Sequence, residues 1–235
     1  MRRTAPILLT VFALGAALAA GSAEAQSRYG SDNAFRFRAG LFHPEGDSAY
    51  WDDKQLDFTG EPDDFEDVVV GIDFRYGFGP RSGILISGDV YSGQEDQAYL
   101  DFVDDRNRDI FHTTTLDVAS VTAAYTLNLT GPRARVVPYV GVGGGFYLWS
   151  LEEEGDFIDF GVDPPEIVFD VFDDDGAAVG WFWMAGLEVP IGPRWSVFGE
   201  ARFTHAEDEL SGDFEGLGDL DLGGRQIVGG ASWRF

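Results

Sequence analysis

The sequence predicts an all-β fold, an eight-stranded up-and-down antiparallel β-barrel that crosses a membrane. Three observations predict it. Apolar and polar residues alternate with a period of two over long stretches, which is typical of strands with one apolar face. The connections between these stretches alternate between short turns and long acidic segments. The apolar face carries aromatic residues at both of its ends, as a membrane-spanning barrel does at its two interfaces.

The N-terminus has the pattern of a secretory signal peptide. Met1-Arg2-Arg3 is positively charged, residues 7–20 are almost continuously apolar, and Ala23-Glu24-Ala25 forms an A-x-A cleavage site. The apolar run is too short for a membrane-spanning helix, which needs about 20 residues. We therefore expect export through the general secretory route. The predicted organisation is a signal peptide at 1–25, an N-terminal linker at 26–33 and a barrel domain at 34–235.

Eight strands follow from the alternation. In the second strand, for example, Val68, Val70 and Ile72 alternate with Asp67 and Asp73. Each strand reaches or exceeds the 9–11 residues that a tilted strand needs to cross a bilayer. The predicted strands cover 34–43, 67–78, 83–92, 114–128, 136–149, 178–190, 195–205 and 224–235.

The tripeptide Gly-Pro-Arg marks three short turns, at 79–81, 131–133 and 192–194. Glycine tolerates a positive φ and proline fixes φ near −65°, so both favour chain reversal. The long connections lie at the other end of the barrel and carry most of the 41 acidic residues. Since Ile167, Phe169 and Val171 keep the outward phase of the sixth strand, we expect the sheet to continue beyond the membrane. The four long loops are 44–66, 93–113, 150–177 and 206–223.

The composition excludes several classes of function. The formal net charge is −25, with 16 basic residues, so a nucleic-acid-binding role is excluded. The chain has no cysteine, which excludes disulfides, cysteine-ligated zinc and thiol catalysis. With 44% hydrophobic and 14% aromatic residues, the chain is also not a disordered acidic tail.

The face opposite the apolar one carries both signs of charge. A soluble barrel would expose these side chains to water, whereas a membrane barrel would enclose them in its lumen. The aromatic residues at both ends of the apolar face favour the membrane barrel, and so do Gly141, Gly143 and Gly145, because an eight-stranded lumen has little room. The predicted lumen ion-pair network comprises Arg36, Arg38, Asp67, Asp73, Arg75, Asp89, Glu188, Glu200, Arg202 and Arg234.

The last strand resembles the insertion signature of Gram-negative outer-membrane barrels, because Ile227, Trp233 and the terminal Phe235 lie on its outward face. The segments 137–143 and 198–203 also resemble the outer-membrane β-barrel domain of OmpA-like and opacity-type, porin-like proteins. The resemblance covers the mature chain from about residue 34. It implies location in the cell outer membrane, a periplasmic linker, extracellular long loops and insertion by the barrel-assembly machinery through the C-terminal strand. The chain ends at Phe235, so the peptidoglycan-binding domain of full OmpA proteins has no counterpart in this sequence.

We expect a non-enzymatic protein with a structural or surface-interaction role, whose lumen is plugged by ion pairs and by aromatic residues such as Phe182, Phe198, Tyr139 and Tyr91. Two alternatives remain open: a narrow channel for ions or small solutes, and a lipid-modifying outer-membrane hydrolase. Some outer-membrane lipid A deacylases use a His-x-Ser element, and none of His43, His112 and His205 begins one. We therefore predict no catalytic residues.

The expected partners follow from the same pattern. They are outer-membrane lipid and lipopolysaccharide, and possible divalent cations at acidic runs such as 152–154 and 173–175. These runs lack the alternating spacing of a dedicated calcium loop, and the three histidines are not fixed within mutual reach, so we predict no metal site and no cofactor. Loop aromatics such as Trp51, Phe58, Phe160 and Phe169 either pack on one another or form an adhesive surface. We expect a monomer.

Overall fold

The computed structural model describes residues 33–79, 81–131 and 134–235. The predicted signal peptide and all of the predicted linker except Asn33 lie outside the described residues. Within the described part of the chain, no helix is long and apolar enough to cross a membrane.

Eight long strands close into an antiparallel barrel, as predicted. The barrel strands are β1 (Ala34–Pro44), β2 (Asp67–Gly77), β3 (Ser82–Val103), β4 (Asp109–Asn128), β5 (Val137–Asp159), β6 (Glu166–Pro190), β7 (Trp195–His205) and β10 (Gly224–Arg234). Around the barrel the order is β1, β10, β7, β6, β5, β4, β3 and β2, so the first and last strands pair with each other.

The β3–β4 and β5–β6 hairpins are longer than predicted. Residues 93–103 and 109–113 continue the β3–β4 hairpin with one irregularity, and residues 150–159 and 166–177 continue the β5–β6 hairpin. The expectation that β6 continues beyond the membrane is confirmed, and the other three strands extend with it. The predicted boundaries were too short because the acidic residues of these segments were assigned to loops, whereas cross-strand pairing continues through them.

The first and fourth long connections contain short elements that the sequence analysis did not predict. The first holds helix α1 (Ala49–Asp57) and a 3₁₀ turn at Pro62–Phe65. The fourth holds the two-stranded sheet of β8 (Glu207–Glu209) and β9 (Asp219–Asp221), with a 3₁₀ turn at Gly212–Phe214. The sequence analysis missed helix α1 because the helix is polar for most of its length and its apolar residues do not form a helical stripe.

The apolar phase of the strands points out of the barrel. Val142, Val179, Trp183 and Ile227 expose 57%, 73%, 46% and 61% of their surface, values that would be unfavourable in water. The inward phase holds the buried polar residues instead. The fold therefore has the inverted arrangement of a membrane-spanning barrel, with apolar side chains outside and charged side chains within.

Candidate functional site

The centre of the barrel lumen contains a connected group of six buried charged side chains. Glu200 on β7 is the most connected member. Its Oε2 accepts hydrogen bonds from Arg36 at 3.1 Å and from the Tyr139 hydroxyl at 2.8 Å. Its Oε1 lies 3.3 Å from Arg202 and 3.5 Å from Arg38. The lumen network is defined here as Arg36, Arg38, Asp73, Asp89, Glu200 and Arg202.

The two aspartates complete the charge balance of the lumen network. Arg38 contacts Asp89 at 2.5 Å and Asp73 at 3.2 Å, while Arg202 contacts Asp89 at 3.4 Å. All six members are at least 95% buried, so every charge has lost its hydration and depends on its partners. Three guanidinium groups face three carboxylates, which leaves no net charge in this layer.

A second, smaller group of ion pairs lies nearer the short turns. Glu188 on β6 contacts Arg234 at 2.6 Å and Arg75 at 3.6 Å, and Arg75 also donates to the Asn128 side chain at 3.0 Å. The sequence analysis placed Arg75, Glu188 and Arg234 in one network with the central group. In the structure they form a separate layer, because the strand register carries them closer to the short-turn end.

Asp67 is the exception among the predicted lumen residues. It shares the inward phase of β2, but it is the first residue of that strand and its side chain is exposed at the rim. Its Oδ1 accepts a hydrogen bond from the Val68 backbone, and it forms no ion pair with any described residue. The prediction was wrong here because phase alone does not give the height of a residue along the barrel.

Aromatic rings fill the space around the lumen network. The Arg36 guanidinium lies 3.8 Å from the ring centroid of Phe198, and that of Arg202 lies 4.4 Å from that of Phe182. Such cation–π contacts stabilise a charge that has lost its water. A Cβ added at Gly141 would lie 2.5 Å from Met184 Cε, so the Met184 side chain occupies the space beside this glycine.

A cluster of buried apolar side chains, called the roof here, lies at the long-loop end of the barrel. Helix α1 contributes Trp51, which is 2% exposed, and the 3₁₀ turn of the first long connection contributes Phe65, which is fully buried. The fourth long connection contributes Phe214 and Leu220. These side chains pack against the upper barrel wall in one cluster with Tyr91, Leu116, Tyr147 and Trp149. The sequence analysis did not predict this roof, because the apolar residues are scattered among many acids.

A buried polar clasp holds helix α1 against the paired long-loop ends of β4 and β5. The ammonium of Lys54, the only lysine of the chain, lies 2.7 Å from Glu153 Oε1. The Tyr50 hydroxyl donates to the same oxygen at 2.7 Å, and His112 Nε2 lies 3.4 Å from Lys54 Nζ. Tyr50 and Lys54 are one helical turn apart, so both reach the same carboxylate. The clasp is defined here as Tyr50, Lys54, His112 and Glu153.

Burial lowers the pKa of two clasp residues, Lys54 and His112. It lowers the pKa of Lys54, and the neighbouring Glu153 carboxylate counteracts part of that shift. Burial and the adjacent Lys54 lower the pKa of His112 to about 3, so this imidazole is neutral at ordinary pH. The clasp therefore joins the Lys54 and Glu153 side chains in a buried contact beside a neutral imidazole.

The loop aromatics differ in their exposure. Trp51 and Phe65 pack inside the roof, whereas Phe160 and Phe169 expose 59% and 65% of their surface on the β5–β6 hairpin. In the part of the chain that the structure describes, no three histidine, aspartate or glutamate side chains are grouped so that they could hold a metal ion.

The family of the chain follows from comparison with known proteins. Residues 10–235 match the model of the outer membrane protein beta-barrel domain. The chain belongs to this family. It is therefore a β-barrel protein of the cell outer membrane, which agrees with the outward apolar face and the inward charges.

Two solved structures have the same fold. Neisserial surface protein A aligns with a TM-score of 0.52 at 10% identity, over 88% of this chain and 99% of that chain. The outer membrane protein OprG of Pseudomonas aeruginosa aligns with a TM-score of 0.51 at 14% identity, over 88% and 97%. A comparison with curated proteins gives no match.

Proposed function

We propose that this protein is a non-enzymatic structural or surface-interaction protein of the outer membrane, with a closed lumen that passes no solutes. The observation that carries the proposal is the position of two buried groups along the barrel. The ion pairs of the lumen network lie across its middle, and the apolar roof lies at its long-loop end. Eight strands enclose a space that side chains just fill.

The energetics support closure rather than a charged path. An ion that crosses the lumen has to displace arginine–carboxylate contacts of 2.5–3.5 Å between side chains that are almost fully buried. Each such rearrangement leaves a desolvated charge without its partner, which costs several kcal/mol. A narrow channel built from the same groups is thus the weaker candidate.

The outward features support a role at the cell surface. The long connections are strongly acidic, and the extended hairpins present apolar residues such as Phe160, Phe169 and Ile167 to the outside. Acidic and apolar side chains on one exposed surface suit contact with other surface molecules.

Conductance across planar bilayers tests the closed lumen. We expect the purified mature protein to produce no unitary steps of porin size. Combining Arg75→Ala with Glu200→Ala removes side-chain volume and charge from both ion-pair layers, so we expect this variant to leak. The matched control is Val142→Ala on the lipid-facing surface, which should stay closed. Porin-sized steps from the unmodified protein would overturn the proposal.

A further inference from the structure

Strands β3, β4, β5 and β6 extend beyond their barrel neighbours as a four-stranded sheet. The pairing of β6 with β7 ends at Trp181, so residues 166–180 of β6 have no β7 residue beside them. On the other side, the pairing of β3 with β2 ends at Tyr91, so residues 92–103 of β3 have no β2 residue beside them. The extended sheet therefore has two edges, and an uncovered sheet edge is a template for a further strand.

The first long connection covers the edge formed by β3. The Thr59 backbone N–H donates to the Ala98 carbonyl at 2.7 Å, and the Ala98 N–H donates to the Thr59 hydroxyl at 2.9 Å. Beside them, Phe58 forms an isolated β-bridge with Tyr99. These contacts use backbone groups of β3 that would otherwise be open to another chain.

The fourth long connection covers the part of the β6 edge nearest the barrel. The Asp213 carboxylate accepts a hydrogen bond from the Asp173 N–H at 3.2 Å, and the Ser211 N–H and hydroxyl donate to the Asp174 carboxylate at 2.6 and 2.9 Å. Further from the barrel, residues 166–171 pair with β5 on one side, and no described strand pairs with them on the other. Residues 166–171 are defined here as the free edge.

The backbone of the free edge presents unpaired donors and acceptors. The N–H of Asp173 points away from β5, towards the fourth long connection. Because backbone direction alternates along a strand, and the β5–β6 register has no irregularity, the N–H and C=O groups of Ile167 and Phe169 point the same way. The N–H of Val171 is held by Asp170 Oδ1 at 2.9 Å, a local bond that an added strand can replace.

The side chains of the free edge alternate between apolar and acidic. Ile167, Phe169 and Val171 lie on its outward face and expose 44%, 65% and 41% of their surface. Glu166 and Asp170 lie on the opposite face and are also exposed. Directly opposed residues stabilise a strand pair when both are apolar or when their charges are opposite. A strand that alternates apolar and basic residues therefore complements both faces of the free edge.

The charge of the β5–β6 hairpin selects among possible strands. Residues 150–177 contain eleven acidic residues and no lysine, arginine or histidine. This charge repels an acidic strand, including the same hairpin of a second copy of the chain, and attracts a basic one. The free edge thus fits a cationic partner.

We propose that the free edge binds an extended, basic segment of another polypeptide as an added β-strand. Backbone hydrogen bonds with Ile167 and Phe169 supply the pairing, and the alternating side chains select a segment with alternating apolar and basic residues. The inference deepens the surface-interaction role proposed above, on which it rests, and is independent of the closed lumen.

A blocked synthetic peptide of alternating lysine and valine, matched in length to the free edge, tests the site. Binding to the detergent-solubilised full mature protein is measured by fluorescence anisotropy, and we expect it to be saturable. The same peptide N-methylated at every valine keeps its charge but loses at least two backbone hydrogen bonds, so it should bind roughly tenfold more weakly. A peptide with glutamate in place of lysine should not bind. Equal binding by the methylated and unmethylated peptides, or no binding by the unmethylated one, would overturn the proposal.

Two substitutions at Phe169 separate backbone pairing from side-chain contact. Phe169→Pro removes an edge N–H at a position where a sheet tolerates proline, so we expect roughly tenfold weaker binding of the lysine–valine peptide. Phe169→Ala keeps the N–H and should retain most of the affinity. The matched control Phe160→Ala removes an exposed ring outside the free edge and should bind as the unmodified protein does. Undiminished binding by Phe169→Pro would contradict strand addition.

Sedimentation velocity of the unmodified protein without peptide identifies the alternative occupant. We expect a monomer. A dimer that Phe169→Pro dissociates would overturn the proposal, because it would place a second copy of the chain on the free edge. Failure of the peptide to bind leaves the bilayer conductance unchanged, so the loss of this inference and the loss of the closed lumen are observed separately.

Discussion

Replacing Glu200 by glutamine is expected to destabilise the barrel by about 3–5 kcal/mol, the cost of leaving a buried ion pair without one partner. Glutamine has the same size but no charge. Arg36, Arg38 and Arg202 would then face only Asp73 and Asp89. The free energy of unfolding is measured by urea titration in lipid vesicles.

The matched control for this variant is Glu154→Gln, which removes a carboxylate from the exposed face of β5 and should change stability by less than about 0.5 kcal/mol. A double variant that adds Arg36→Met should recover part of the loss, because it removes one unpaired charge together with its partner. Equal stability of Glu200→Gln and Glu154→Gln would show that the lumen network does not contribute to folding.

Replacing Glu153 by glutamine is expected to release helix α1 from the long-loop ends of β4 and β5. Glu153 holds both Lys54 and Tyr50, and without its charge the ammonium of Lys54 remains buried beside a neutral His112. Burying the Lys54 ammonium without its partner costs on the order of 3 kcal/mol, and this cost is removed when helix α1 moves into solvent. The barrel itself should stay folded, because the clasp lies above the membrane-spanning part.

Amine labelling reports on this release with single-residue resolution, because Lys54 is the only lysine. In the unmodified protein Lys54 is 9% exposed and should react far more slowly than a free lysine in solution. In Glu153→Gln its rate should rise at least tenfold, while Glu154→Gln leaves it unchanged. Rapid labelling of Lys54 in the unmodified protein would contradict the docked position of helix α1.

The barrel was predictable from sequence because its strands are locally encoded. Alternation assigns each residue to one face, and the short turns fix the pairing of neighbouring strands. The inward positions of Arg38, Asp89 and Glu200 follow from phase alone. Their contacts across the lumen do not, because residues such as Arg38 and Asp89 meet only when the sheet has closed.

The sequence pattern could not predict the roof and the clasp, for a different reason. Trp51 and Phe65 lie in a connection without periodicity, and Lys54, His112 and Glu153 come from three separate segments. Their proximity depends on how the first long connection folds back over the barrel. The same limit applies to Asp67, whose height at the rim follows from the strand register.

The accessibility of the lumen to a water-soluble reagent tests the central claim most directly. The chain has no cysteine, so single substitutions report cleanly. Ser87 and Ser196 are 2% and 0% exposed and point into the lumen, and cysteine is close to serine in size. A charged maleimide, added on both sides of the membrane, should leave Ser87→Cys and Ser196→Cys unmodified while it labels Asp105→Cys on the exposed hairpin. Labelling of the two lumen positions as fast as the hairpin position would contradict a closed barrel.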